Sequence, residues 1–332
     1  MKDRSRPWKI LITVICLFFA AFASLGMFLH YEPLARYPYG TAEEQQILES
    51  RLSAADIDYL INSQLMPQTI LPFIDAPGFN IKNTLYYYTA LKTRNGSPDA
   101  IVAFVNEFRD RFDYNTLEDY LRWYNYQDLT EFFRSGSSKT LAQNPADPLL
   151  VLNGDTTVYS WKPDGLAEED GLILKQDALF AFNQLRQLAQ EEGLDMAAEN
   201  GYISYGQAKA PGFAGSEYPD QQLGTSIMLD AGPQWDLNWG NMTSGDQMSD
   251  YEQAIEMLPG YEEKLLYWLQ DNAWRAGFVI RYPRDKEEVT GHAWQPFFIR
   301  YVGNEPAAAM HANVWSLEEY VQQQDNGSNH RL

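Results

Sequence analysis

The chain has 332 residues, 45% hydrophobic and 14% aromatic, which is enough for about two domains with real cores. Its formal net charge is −20 and its pI is near 4.5. Those values argue against a nucleic-acid partner, whose phosphates need clustered Lys and Arg, and they disfavour broad electrostatic docking on anionic lipid or teichoic acid.

At the N-terminus Lys2, Arg4, Arg6 and Lys9 precede an uncharged apolar run from Ile10 to Leu29. The run is long enough to span a bilayer, and its basic flank puts that end in the cytoplasm. A cleaved leader is the rival, with Ala21 to Ala23 as the cleavage site. The run continues past that site through Leu25, Met27, Phe28 and Leu29, which favours an uncleaved anchor over residues 1–30. Either way the bulk of the chain is expected to be extracellular. Cys16 is the sole cysteine, so the exported part has neither disulfides nor a Cys metal site.

Residues 31–134 read as a helical, aromatic-rich module. Thr41 and Glu44 make a capping box and Ser53 caps a second helix. Ser97 with Pro98 starts an amphipathic helix, and Thr116 with Asp119 starts another. The Tyr and Phe positions read as core. Residues 135–146 are a linker by composition. A short strand is expected at Leu149 to Leu152, and a helix at Gln176 to Glu192 with Leu179, Phe182, Leu185 and Leu188 on one face. Met196 and Ala197 suggest a strand. Ser249 and Glu252 cap a helix over 250–258. Leu265, Leu266, Leu269, Ala273 and Ala276 recur at helical spacing up to Gly277. Strands follow at Phe278 to Tyr282 and Phe297 to Val302, separated by a charged turn at Arg284 to Glu288. Residues 324–332 are a polar tail.

A long ungapped pattern occupies the last third. It comprises Trp268-Leu269, Asn272-Ala273, Gly277-Phe278, Arg281-Tyr282-Pro283, Lys286, Thr290-Gly291, Pro296 and Arg300-Tyr301-Val302-Gly303. It resembles the C-terminal core of the zinc D-alanyl-D-alanine carboxypeptidases of the VanY type. Gln222, Leu223 and Gly224 upstream and Trp315 to Tyr320 downstream extend the resemblance over residues 147–323. The resemblance implies an α+β fold with an antiparallel sheet and flanking helices, and an activity on peptidoglycan stem peptides.

The departures fall where that family keeps its chemistry. The resemblance places Gln221 and Phe298 at zinc-binding His positions, Met228 at a zinc-binding Asp position, and Gln295 at the general-base Glu position. Asp220 stands where the family has Glu. Ser204 and Tyr205 are retained beside Ile203, which replaces a substrate-holding Arg. Catalytic zinc needs three protein ligands and an open position for water, and a nearby carboxylate takes the water's proton. Amide, thioether and phenyl groups are poor or null zinc ligands, and an amide cannot act as base.

Hence no intact catalytic residue, no metal and no cofactor are expected, and whether the chain is an enzyme leans towards no. The candidate binding set is Ser204, Tyr205, Asp220, Gln221, Met228, Gln295, Phe298 and Arg300. The resulting expectation is a membrane-anchored extracellular pseudoenzyme that binds peptidoglycan or a cell-wall protein. The alternative is an active metallo-carboxypeptidase with a rewired site, drawing on His292 or His311 with Asp220, Asp230 or Glu217. Asp230 lies two residues past Met228, on the same strand face but about 6.6 Å further along. A third reading is a structural module whose groove Phe298 fills. Trp235, Trp239, Trp268, Trp274, Trp294 and Trp315 crowd this half and could stack on sugar or peptide faces, core packing being the plainer reading.

Overall fold

The computed structural model describes residues 12–20, 33–35, 37–210, 219–230 and 260–329. Its contacts divide the chain into two units, Met1–Leu121 and Arg122–Leu332. The division comes before the end of the expected helical module at residue 134. Residues 12–20 are helical and exposed. Among the described residues no helix is long and apolar enough to cross a membrane, and most of the expected span lies outside them.

The first unit is helical: the starts predicted at Thr41, Ser53 and Ser97 form, whereas the one predicted at Thr116 falls inside a helix that begins at Tyr114, with Asp113 accepting from the Thr116 N–H at 2.8 Å. Helix α1 (Ala42–Arg51) opens on the Thr41/Glu44 capping box and α2 (Ala54–Asn62) on a Ser53/Asp56 box. Each box satisfies two backbone donors that a bare helix end would leave unpaired. Leu48, Ile57 and Leu60 pack with Leu34, Ile70 and Ile81. The Tyr-rich run is helix α3 (Thr84–Thr93), followed by α4 (Pro98–Phe108) with Ser97 as cap and Pro98 in the first turn. Phe73, Tyr87, Phe104, Phe108 and Phe112 are buried, so these aromatics are core. Asn106 ties the segments together: it accepts from Asn83 at 2.9 Å and donates to the Gly78 carbonyl at 2.8 Å. Helix α5 (Tyr114–Trp123) carries the unit boundary.

The second unit is α+β. Helix α6 (Tyr126–Arg134) leads to β1 (Thr140–Leu141), which pairs in parallel with β2 (Thr156–Thr157). The expected linker is therefore partly ordered: Leu141 and Ala142 are buried, and the Tyr124 hydroxyl donates to the Ala142 carbonyl at 2.9 Å. Polar composition hid a short strand with one buried residue. The strand expected at Leu149 to Leu152 does not form. Asp147 accepts from the Leu149 N–H at 2.8 Å and its carbonyl from Leu150 at 3.1 Å, which makes a turn instead.

Strands β3 (Leu166–Glu169) and β4 (Leu172–Lys175) form a hairpin. Its turn residues Asp170 and Gly171 both have positive φ, the geometry that matches strand twist. Helix α7 (Gln176–Glu191) follows and buries Leu179, Phe182 and Leu185, as its spacing predicts.

The main sheet contains β5 (Ala198–Asn200), β6 (Ser226–Leu229), β7 (Phe278–Tyr282) and β8 (Gln295–Tyr301), in the order β5-β6-β8-β7 and all antiparallel. Helix α8 (Gly260–Asn272) continues as a 3-10 turn to Ala276, and Gly277 ends it at φ 78°. One sheet face presents Ile227, Leu229, Phe297 and Ile299 to the core shared with α7 and α8. Strand alternation turns Met228, Phe298 and Arg300 to the other face. In the predicted charged turn, Asp285 takes φ 63° and Glu287–Thr290 is a single helical turn. Helix α9 (Asn304–Asn313) and α10 (Leu317–Asn329) complete the unit. The polar tail is thus helical to Asn329, because the helix begun at Leu317 carries on through residues with no breaker but Gly327. The helix expected over 250–258 lies outside the described residues.

Candidate functional site

Asp220 sits in a 3-10 turn, Pro219–Leu223, with its side chain 0% exposed. Its Oδ2 accepts from Arg281 Nε at 3.0 Å and from the Tyr282 hydroxyl at 3.2 Å. Its Oδ1 accepts from Arg300 Nη1. Arg300 Nη2 donates onward to the Pro148 carbonyl at 3.0 Å. Arg281 Nη1 also lies 2.8 Å from Glu318 Oε1, an ion pair without hydrogen-bond geometry. Two arginines and two carboxylates give a neutral buried cluster, the form in which buried charge is tolerated.

The electrostatics follow. Burial pulls Arg281 down, but Asp220 first, with Tyr282 and Glu318 after it, more than offsets that, and its pKa is raised. Arg300 is lowered, first by complete burial and then by neighbouring Arg281, with Asp220 opposing both. The Tyr282 hydroxyl is raised by burial and by the Asp220 charge, so it stays a neutral donor.

The other candidates gather on the same sheet face. Asn200, Met228 and Phe298 lie opposite one another across β5, β6 and β8. Gln221 donates its side-chain amide to Asn200 Oδ1. Phe298 is 0% exposed and stacks on Tyr282 at 5.6 Å, and Tyr282 stacks on His292 at 4.2 Å. Gln295 is buried opposite Tyr282 in the ladder. So the fold brings Gln221, Met228, Gln295 and Phe298 into one neighbourhood beside Asp220 and Arg300.

Ser204 and Tyr205 join from the side. The Ile203 N–H donates to the Gln221 carbonyl at 3.4 Å, which anchors the segment there. The Ser204 hydroxyl is engaged in a capping box with Gln207. The Tyr205 ring packs on Tyr159 at 4.8 Å, and Lys209 Nζ lies 4.1 Å over the Tyr205 ring. Burial raises both Tyr159 and Tyr205. Tyr205 therefore belongs to a lysine-capped aromatic pair.

Sequence reasoning missed Asn200, Arg281 and Tyr282 as site members. The signal for Arg281 was its isolated charge inside an apolar strand, which requires a buried partner. Of the rewired set, Asp220 is held by two arginines, His292 stacks on Tyr282 beside it, His311 stacks on Trp274 at 5.2 Å, and Asp230 is exposed. Glu217, Trp235 and Trp239 lie outside the described residues. Trp268 and Trp294 are buried.

Residues 230–304 match the family model of VanY, D-alanyl-D-alanine carboxypeptidase. The C-terminal half of the chain is VanY-like. YodJ of Bacillus subtilis is 27% identical over 191 residues, covering 54% of this chain and 69% of its own. A D-alanyl-D-alanine carboxypeptidase of Enterococcus faecium is 35% identical over 101 residues, 30% of either chain. The match thus spans less than a third of that second relative. Among solved structures, the LdcB LD-carboxypeptidase aligns at 25% identity and TM-score 0.42, covering 55% of this chain and 90% of its own.

Zinc is the metal that the VanY resemblance implies, and the donor set can be tested against it. Gln221 offers an amide already bonded to Asn200, Met228 a thioether, and Phe298 a phenyl ring. Gln295 offers an amide where a carboxylate would take the proton. These residues do not fit zinc. Among the described residues, no group of three or more His, Cys, Asp or Glu side chains is placed to hold an ion.

Proposed function

We propose that this chain is a membrane-anchored, extracytoplasmic VanY-like protein without peptidase chemistry, which binds peptidoglycan or a cell-wall protein. The observation that carries the reading is the neighbourhood of Gln221, Met228, Gln295 and Phe298. Their frame is kept, with the Asp220 cluster on one side, yet the groups held out are amide, thioether and phenyl. That neighbourhood offers hydrogen-bonding amide edges but no Lewis acid and no base. The basic flank and apolar run up to Leu29 support the anchor and the extracellular placing of the rest.

The test uses the full-length chain. Incubation with a stem peptide ending in D-Ala-D-Ala, with zinc supplied, is expected to release no D-alanine above a chelator control. Purified sacculi are expected to retain the chain. Chelator-sensitive D-alanine release would overturn the non-catalytic reading. Loss of the chain from sacculi would remove peptidoglycan as the ligand and leave a wall protein.

A further inference from the structure

A cavity of about 320 Å³ lies in the second unit, lined by the end of helix α8, strand β7 and helix α9. Ligand pockets start at about 300 Å³. Its walls include Trp274, Trp294, Trp315, Phe278 and Met310, and the fully buried Ala307 also lines it. Two of the indoles are fastened within the chain itself. Trp274 Nε1 donates to the Asp271 carbonyl at 2.8 Å, and its ring stacks on His311 at 5.2 Å. The Trp315 N–H donates to the Met310 carbonyl at 3.0 Å, and its ring packs on Tyr320 at 6.5 Å. Among the described residues the lining holds no carboxylate, and both of its Lys and Arg cations are engaged. Lys286 pairs with Glu319 at 2.8 Å, while Arg284 lies 5.9 Å over the Trp294 ring and has a further partner.

That lining selects by chemistry. A charged ligand meets no unspent counter-charge, and sugar hydroxyls would lose water against alkyl and indole walls without full repayment. A flat uncharged ring loses neither, and it gains offset or edge contacts with the indoles and a contact with the Met310 sulfur. The rim agrees. Val314 lines the cavity, is 76% exposed and sits at φ 57° as the C-cap of α9. A β-branched residue there is an outlier at a position that suits Gly or Asn, so an apolar side chain is held at the mouth in strained backbone.

We propose that this cavity binds a free small molecule built on a neutral aromatic ring, of the indole or phenol class. The ring lies against the indoles of Trp274 and Trp315 and the Met310 thioether, with Ala307 leaving the space it fills. The apolar Val314 at the mouth favours a free ring over one borne on a polypeptide, whose backbone amides would have to cross that rim. Neither Gln221 nor Phe298 lines the cavity, so failure of this proposal would leave the preceding reading standing.

The experiment is isothermal titration calorimetry of indole into the full-length chain. One indole per chain is expected, with a Kd of about 1 mM or tighter. Phenol is expected to bind about threefold or more tightly than cyclohexanol, its saturated counterpart, because only the planar ring makes the aromatic contacts. Ala307→Leu fills the cavity and is expected to weaken indole by about tenfold or more, with a cooperative melt retained. Trp315→Ala removes a half-exposed wall and is expected to do the same, so it decides the matter even where Ala307→Leu disturbs its helix. Indole-3-acetate and tryptamine are expected to bind no more tightly than indole. No heat of binding at roughly 5 mM indole, or folded Ala307→Leu and Trp315→Ala chains that bind like wild type, would overturn the proposal. So would equal binding of phenol and cyclohexanol, or about tenfold tighter binding of either charged analogue. Tighter binding of N-acetyltryptophanamide than of indole would assign the cavity to a partner's side chain and overturn it as well.

Discussion

Replacing Asp220 by Asn puts the buried cluster to its sharpest test. In the native chain Asp220 and Glu318 balance Arg281 and Arg300, and the side chains of Asp220, Arg281 and Arg300 have no solvent exposure. The substitution keeps shape and most hydrogen-bonding capacity but leaves one uncompensated positive charge. Arg281 retains Glu318, while Arg300 is left with neutral acceptors alone, the Asn oxygen and the Pro148 carbonyl. Removing one partner of a buried ion pair costs about 3–5 kcal/mol. With a urea m-value of about 2 kcal/mol/M, the midpoint falls by roughly 1.5–2.5 M. Urea titration followed by tryptophan fluorescence reads it, since Trp268 and Trp294 sit in this unit's core. Adding Arg300→Met restores neutrality, because Arg281 and Glu318 remain as a pair. The double variant is therefore expected to be less destabilised than the sum of the two single variants by about 2 kcal/mol. A midpoint shift under 0.5 M for Asp220→Asn, or strict additivity in the double variant, would refute the claim that this cluster is a coupled unit.

Three further outcomes are expected. Phe298→Ala empties a fully buried ring position against Tyr282 and lowers stability by about 3–5 kcal/mol in the same titration. In the first unit, Tyr37 donates to the Leu65 carbonyl at 2.6 Å, and burial together with the Glu44 charge pushes its hydroxyl up to about 12. Because the folded value lies above the unfolded value of about 10, the stabilisation is present below pH 10 and is lost as pH rises from 10 to 12. Tyr37→Phe is expected to cost about 1 kcal/mol at neutral pH and to flatten that alkaline decline, as measured by thermal melts across the range. Finally, the combination Gln221→His, Met228→Asp and Phe298→His is expected to hold about one zinc per molecule by elemental analysis, against none expected for the unsubstituted chain. Failure of the triple variant to take up zinc while folded would show that the three positions do not converge as the ladder implies.

Much of the architecture was legible because its causes are local. Thr41, Ser53 and Ser97 announce helix starts through side-chain bonds that reach only three residues ahead. The stripe of Leu179, Phe182 and Leu185 follows from the 3.6-residue repeat alone. Where the reading missed, a distant partner decided. Thr140 and Leu141 look like linker until Thr156 and Thr157 pair with them. Leu149 to Leu152 look like a strand, but Asp147 turns the chain at their start.

The site divides along the same line. That positions 221, 228, 295 and 298 carry amide, thioether, amide and phenyl is written in the chain, and ligand chemistry alone disqualifies them for zinc. That Asp220 gathers Arg281 from 61 residues away and Arg300 from 80 residues away is decided by the tertiary fold, as is the engagement of Gln221 with Asn200. Residue identity determines what a side chain can donate or accept. The closing of the sheet determines which groups are dry and near enough for that capacity to count, because both desolvation and Coulomb strength depend on burial that no short window of sequence contains.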